Sequence, residues 1–131
     1  MMTKFFCPHC NGILSVNNQI VMTVKNDSKK GLVFLSQHLG DYNIWHHPDF
    51  VMKEGERFDF YCPICGATLT VNGSESLAQI GMEEDGQKFI IVFSRIKGEH
   101  CTYKIKDQNI EARFGEHSES YIDFVSALFY K

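Results

Sequence analysis

Four cysteines, arranged as two Cys-Pro-x-Cys turns, are the residues of this sequence best suited to chemistry. The first turn, Cys7–Cys10, and the second, Cys62–Cys65, are called knuckles here. Each lies in a phrase that occurs twice, as FFCPHCNGILSVN and FYCPICGATLTVN, with seven of thirteen positions identical. Four thiolates in a tetrahedron suit Zn²⁺ and leave it no open position for a substrate or a water molecule. The repeat therefore predicts one Zn²⁺ per chain in a structural site.

The residues around the cysteines predict the same backbone turn in both knuckles. Pro8 and Pro63 fix φ just after the first cysteine of each pair. Asn11 and Gly66 follow the second cysteine, and both residue types tolerate a positive φ. Such a turn points both thiolates of a pair to one side, where backbone N–H groups can donate hydrogen bonds to the sulfurs.

The two knuckles resemble those of the zinc-ribbon family, in which two CPxC turns, each leading into a strand, are clasped by one Zn²⁺. By that resemblance the metal ligands would be Cys7, Cys10, Cys62 and Cys65. Simple ribbons separate their cysteine pairs by about 15–20 residues. Here 51 residues lie between the pairs, so the sequence predicts an insertion at about residues 38–56.

The long gap between the pairs is also similar to the gap in Yippee-like and methionine-sulfoxide-reductase-B-like proteins. Those proteins clasp two sheets with one CxxC pair on each. The Gly-Trp expected after the second pair of Yippee proteins is absent, because Gly66 is followed by Ala67, and no reductase signature is present. This resemblance rests on spacing alone.

Other uses of the cysteines stay open. CPHC alone matches the active site of thioredoxin-like disulfide oxidases, but there a helix follows, whereas ILSV after the first knuckle is typical of a strand. CPICG is also a rubredoxin knuckle, which keeps iron as the alternative metal.

Met1 to Phe6 is too short for a signal peptide, and no apolar run is long enough to span a membrane. We therefore expect a cytoplasmic protein without a membrane partner, whose cysteines bind metal in preference to forming disulfides.

Short segments rich in β-branched and aromatic residues predict a mainly β fold with antiparallel sheets and a zinc-ribbon-like clasp. KNDSKKG, EEDGQ and DQN are predicted hairpin turns. The predicted strands span residues 4–6, 13–16, 19–25, 31–36, 57–61, 68–71, 78–82, 88–96, 101–106 and 110–114.

The end of the chain has a different pattern. In SYIDFVSALFYK the apolar residues Tyr121, Phe124, Val125, Leu128 and Phe129 follow helical spacing, which predicts a short C-terminal helix. The predicted organisation is a zinc-clasped β unit at 1–76 and a β-rich part at 77–131. The two parts are expected to pack as one continuous domain.

A secondary polar site is predicted at one hairpin end. The triplet Gly-Glu-His occurs twice, and pairing Ile105 with Ile110 would place Lys104 opposite Glu111. That register brings the two triplets together, so the candidate site residues are His100, His117, Glu99 and Glu116. A solvated hairpin end is the favoured interpretation of these residues, because no nucleophile, base and orienting group can be assembled from the sequence. The fifth cysteine, Cys101, is predicted to be a buried free thiol.

The insertion contains a candidate binding loop. Its candidate residues are Tyr42, Trp45, His46 and His47. Irregular stretches of this length are often functional, and exposed aromatic side chains favour binding. The alternative is that the aromatic residues only seal the insertion onto a sheet.

These features favour a non-enzymatic, zinc-stabilised module that binds another protein. The net charge of −3 disfavours a nucleic-acid partner. A folded surface that brings together Lys25, Lys29, Lys30 and Lys53 would instead support nucleic-acid binding. A thiol or zinc redox switch is the third alternative, and it requires a labile metal site.

Overall fold

The fold is mainly β, as predicted from the sequence. A computed structural model describes residues 3–27 and 29–129, which form two five-stranded antiparallel sheets and one short helix. Its strands are β1 (Thr3–Phe6), β2 (Ser15–Val16), β3 (Gln19–Asn26), β4 (Lys29–Ser36), β5 (Ile44–His46), β6 (Asp59–Tyr61), β7 (Leu77–Glu84), β8 (Gln87–Ser94), β9 (Thr102–Lys106) and β10 (Asn109–Phe114). The helix α1 spans Ile122–Phe129.

Sheet A has the strand order β1-β7-β8-β9-β10. The hairpin between β7 and β8 turns at Asp85 and Gly86, whose φ values of 51° and 82° are those of the tight turn that Asp-Gly predicts. Asp107 and Gln108 adopt positive φ in the same way between β9 and β10. β1 joins this sheet from the other end of the chain by pairing with β7.

Sheet B is built around β3. One edge of β3 pairs with β4 along its whole length, and the other edge pairs first with β2 and then with β6. β5 pairs with β4 and lies within the predicted insertion at 38–56, where no strand was predicted. The strand predicted at 68–71 is wrong, because Thr68 and Thr70 form only isolated bridges. Ser28, in the predicted KNDSKKG turn, lies outside the described residues.

The chain crosses between the two sheets at both knuckles. The first knuckle leads from β1 in sheet A to β2 in sheet B. The second knuckle follows β6 in sheet B, and Thr70 then bridges Ala78 of β7 in sheet A. The division of the chain at residue 76 stays a prediction about domain organisation.

The main core lies between the sheets. β3 of sheet B alternates buried and part-buried residues, and its buried side chains meet those of sheet A in this core. Phe60 of sheet B contacts Phe93 of sheet A edge-to-face, with ring centroids 5.3 Å apart. The buried core residues also include Phe5, Met22, Val24, Val33, Phe58, Leu69, Ile80 and Ile91.

A second, smaller core lies on the other face of sheet A. The predicted C-terminal helix is present and packs there, with Val125 fully buried against a cluster that includes Tyr103 and Ile105. Tyr130 and Lys131, at the end of the predicted helical segment, lie outside the described residues. At eight residues, α1 is too short to cross a bilayer, and the described part of the chain holds no longer helix.

The register of the last hairpin is partly as predicted. Ile105 pairs with Ile110, but a bulge follows, so Lys104 lies opposite Ala112 and the predicted pair with Glu111 is wrong. Lys104 instead contacts Glu84, with Nζ 3.1 Å from the carboxylate. The bulge adds one residue to β10, which the alternation of the sequence does not reveal.

Replacing Val125 with Ala should lower the free energy of unfolding by about 2 kcal/mol, because it removes buried methyl groups from a packed site. Ser126→Ala, at the exposed neighbouring position of α1, is the matched control and should change it by less than about 0.5 kcal/mol. Denaturant unfolding of both variants measures the difference. Equal effects would show that α1 does not pack as described.

Candidate metal centre and inter-sheet cavity

The four knuckle cysteines form one cluster of sulfur atoms. Their Sγ atoms all lie within 4.8 Å of one another. The Sγ atoms of Cys7 and Cys65 are 3.8 Å apart, as are those of Cys10 and Cys62. A tetrahedral metal with bonds of about 2.3 Å to sulfur has ligand atoms about 3.8 Å apart. The spacing therefore fits a single metal ion held by four thiolates, and disulfide bonds are absent from these cysteines.

The two knuckles hold their first cysteines in the same way. The backbone N–H of His9 donates to Cys7 Sγ, and that of Ile64 donates to Cys62 Sγ, both at 3.3 Å. These donors favour the negatively charged form of each sulfur. The repeated sequence thus gives a repeated local geometry.

The turn residues behave as predicted. Asn11 and Gly66 adopt φ values of 62° and 77° at equivalent positions. The N–H of each donates to the carbonyl of the first cysteine in its knuckle, at 2.9 Å in both cases. A β-branched residue at either position would be strained.

Each knuckle also reaches across to the segment that follows the other. Nε2 of His9 lies 3.1 Å from the carbonyl oxygen of Thr68, to which it donates a hydrogen bond. In return, the side chain of Ile64 covers Gly12 so closely that a Cβ there would lie 2.5 Å from Cδ1. The variable position of each knuckle, His9 in the first and Ile64 in the second, therefore ties the two halves together.

Burial and hydrogen bonding give the sulfurs different proton affinities. Burial raises the pKa of Cys7 to about 12. At Cys62 burial acts in the same direction, but the N–H donors of Cys65 and Ile64 outweigh it and lower the pKa to about 7. Burial thus disfavours the thiolate form of Cys7, whereas the N–H donors favour the thiolate form of Cys62. A cation must therefore displace protons to gather four thiolates.

Cys101 takes no part in the cluster. It is fully buried beside sheet A, as predicted for a free thiol. Burial raises the pKa of its thiol to about 12, so the thiol stays protonated at neutral pH. A buried neutral thiol of this kind is a poor nucleophile.

Three of the four residues of the predicted polar site meet. Nδ1 of His100 lies 3.2 Å from the carboxylate of Glu116, and the backbone N–H of His100 donates to Nδ1 of His117 at 3.0 Å. Glu99 does not join them, because its carboxylate accepts from Ser94 at 2.6 Å and from the hydroxyl of Tyr121 at 2.8 Å.

The predicted binding loop is divided between two places. Tyr42 stacks on His100, with ring centroids 4.5 Å apart, and its hydroxyl bonds to Thr102 at 2.8 Å. Trp45 lies in β5 on the outer face of sheet B and is 46% exposed. His46 faces Phe50, and His47 is exposed. The loop and the polar site are therefore joined at Tyr42 and His100, a link that sequence spacing did not reveal.

A cavity of about 150 Å³ lies between the sheets next to Tyr42 and His100. Its walls are mainly apolar, and its mouth is formed by residues 38–43 and 94–102. The residues that line it are spread between Ile20 and Thr102 in the sequence. No local pattern in the sequence could have indicated this cavity, because only the packing of the two sheets creates it.

Cys62→Ser should abolish both metal binding and cooperative unfolding, because a structural metal contributes about 10 kcal/mol to folding in small domains. Cys101→Ser is the control that replaces the cysteine outside the cluster, and it should keep the full metal content even where it lowers stability. Elemental analysis of the purified proteins and thermal unfolding measure both effects. Wild-type protein that folds cooperatively without metal would contradict the assignment.

Comparisons of the chain with family models, with curated proteins and with solved structures found no match. The likeness to zinc ribbons therefore rests on the two knuckles, whose four sulfur atoms the fold brings within metal-binding distance. What the protein does has to be inferred from its own geometry.

Proposed function

We propose that this protein is a zinc-stabilised binding module of the reducing cytoplasm, in which one Zn²⁺ is structural. The observation that carries the proposal is the cluster of four sulfurs at the two places where the chain crosses between the sheets. Thiolate ligands and tetrahedral spacing favour Zn²⁺, with iron as the alternative metal. A metal in this position joins the sheets to each other.

The metal site is closed, which argues against catalysis at the metal. Four cysteines complete a tetrahedral coordination sphere, so no position remains for water or substrate. His9, the histidine within the first knuckle, uses Nε2 to bond the carbonyl oxygen of Thr68. The module is accordingly proposed to be non-enzymatic.

Cobalt substitution tests whether the site is closed. The Co²⁺ protein should show the absorption of a tetrahedral thiolate complex, with one metal per chain. Azide and imidazole should leave that spectrum unchanged, since a closed site offers them no coordination position. A spectral change with either ligand would show an open position and would overturn the structural role.

A partner protein is proposed to bind the outer face of sheet B. In sheet A the corresponding face is covered by α1, whereas the outer face of sheet B leaves Trp45 and Leu32 about half exposed. Val21, Phe34 and Trp45 lie side by side across β3, β4 and β5, next to Leu32, which is 50% exposed. An aromatic and aliphatic centre of this kind is typical of protein interfaces.

Nucleic acid is the second candidate for the same face. Lys25 lies directly opposite Lys30 on the neighbouring strand. This arrangement is unfavourable because the two positive charges repel each other. Asp59, the other cross-strand neighbour of Lys25, forms its ion pair with Arg95 instead. Nζ of Lys25 lies 4.7 Å from the centroid of the Tyr61 ring. Surfaces that bind single-stranded nucleic acid combine cationic and aromatic side chains in this way.

Photo-crosslinking in cells decides between the two partners. A photoreactive residue at position 45 should give protein adducts, and the same residue at position 126 on α1 should give few. Adducts that nuclease removes would instead assign the face to nucleic acid, and Lys25→Glu with Lys30→Glu should then abolish them. Equal adducts from both positions would overturn the proposed surface.

A further inference from the structure

We propose that the cavity between the sheets is a binding site for a neutral aromatic ring that carries one hydrogen-bonding group, as in a phenol. The site is separate from the metal centre and from the outer face of sheet B. It lies between the sheets that the metal joins, and residues of the predicted insertion form part of its mouth.

The size of the cavity fits one ring. A dry apolar cavity of about 150 Å³ inside a protein is large enough to bind benzene, and the cavity here measures about 150 Å³. Its floor is apolar and comes from both sheets, with Ile20 and Leu35 on one side and Ile80 and Ile91 on the other. Among the described residues, every buried side-chain nitrogen and oxygen already has a hydrogen-bond partner. An apolar group in the deep part of the site would therefore leave no hydrogen bond unmade. A polar group there would find no unpaired partner.

The walls favour an aromatic group over an aliphatic one. Phe60 and Phe93 form an edge-to-face pair that lines the cavity, and Phe58 lines it beside them. Aromatic rings attract one another in edge-to-face and offset arrangements by more than the apolar area they bury. Met52 also lines the cavity, and a thioether adapts its shape to a ring and contacts it favourably.

The charges at the mouth favour a neutral ligand. Side chains of both signs line it, so neither an anion nor a cation meets a matching field. Two of these charged groups already have polar partners. Arg95 forms its ion pair with Asp59, and Glu99 accepts from Ser94 and Tyr121.

One polar group at the mouth is fixed in place and retains a hydrogen-bonding atom. His100 stacks on Tyr42, and its Nδ1 is 3.2 Å from Glu116, which leaves Nε2 as the ring nitrogen able to meet a ligand. Tyr42 is itself held by Thr102 and by the carbonyl oxygen of Phe114. In the tautomer whose Nδ1–H donates to Glu116, Nε2 accepts a hydrogen bond, for example from a phenol hydroxyl. Because the pair is held before a ligand arrives, binding costs little ordering of these side chains.

NMR titration of the metal-loaded protein with p-cresol and toluene tests the site. We expect saturable shifts of the Ile20 and Ile91 methyl signals, with a Kd for p-cresol on the order of 1 mM. Toluene lacks the hydroxyl and should bind about fivefold more weakly, the loss expected for one hydrogen bond. No saturable shift with either compound in folded, metal-loaded protein would overturn the proposal.

Two variants locate the ligand. Leu39→Trp should fill the cavity and remove binding of both probes. His100→Phe keeps a ring to stack on Tyr42 and should reduce the preference for p-cresol to about one. His47→Phe is the matched control, because His47 is exposed and does not line the cavity, and it should preserve the preference. Probe binding that persists in a folded Leu39→Trp protein would place the ligand elsewhere and overturn the assignment.

The same titration identifies the source of the ring. N-acetyl-tyrosinamide carries the p-cresol group on a peptide backbone. If it shifts the same methyl signals with similar affinity, the site takes a tyrosine side chain from a partner chain. If p-cresol binds and the blocked amino acid does not, the site takes a free small molecule. Metal content and cooperative unfolding are measured on the same samples, so failure of this site and failure of the structural metal are distinguished.

Discussion

The convergence of four cysteine sulfurs is the constraint on which this structure depends. Each knuckle lies where the chain passes from one sheet to the other, so a metal bound by both fixes the two crossings at once. His9 and Ile64 reinforce the contact from opposite sides. The sheets that enclose the cavity beside Tyr42 and His100 are thus joined at a junction elsewhere in the molecule.

The knuckles were predictable from sequence because their chemistry is local. Spacing, proline and a turn residue define each one, and the positive φ values of Asn11 and Gly66 confirm the turn. The mainly β class, the Asp-Gly hairpin and the C-terminal helix were predictable for the same reason. Strand alternation and helical spacing can both be recognised within a short stretch of consecutive residues.

What the sequence did not reveal depends on contacts between distant segments. β5 is a strand because β4 offers it an edge, and its three residues carry no signal long enough to detect. The bulge at Glu111 and the turn of Glu99 toward Tyr121 are decided by neighbours on other elements. The pairing of Tyr42 with His100 joins residues 58 positions apart, which only the three-dimensional arrangement shows.

The separation of the knuckles also governs the order of events during synthesis. The first knuckle leaves the ribosome 55 residues ahead of the second, and until the second emerges it can offer a metal only two thiolates. Bringing the knuckles together closes the loop of 51 residues between them, which costs conformational entropy. That cost comes before the full coordination sphere can stabilise the chain. Sheet B, whose strands all lie between or beside the two knuckles, can pair during this interval. A metal that requires all four thiolates would then bind late, to a chain in which sheet B is already able to pair.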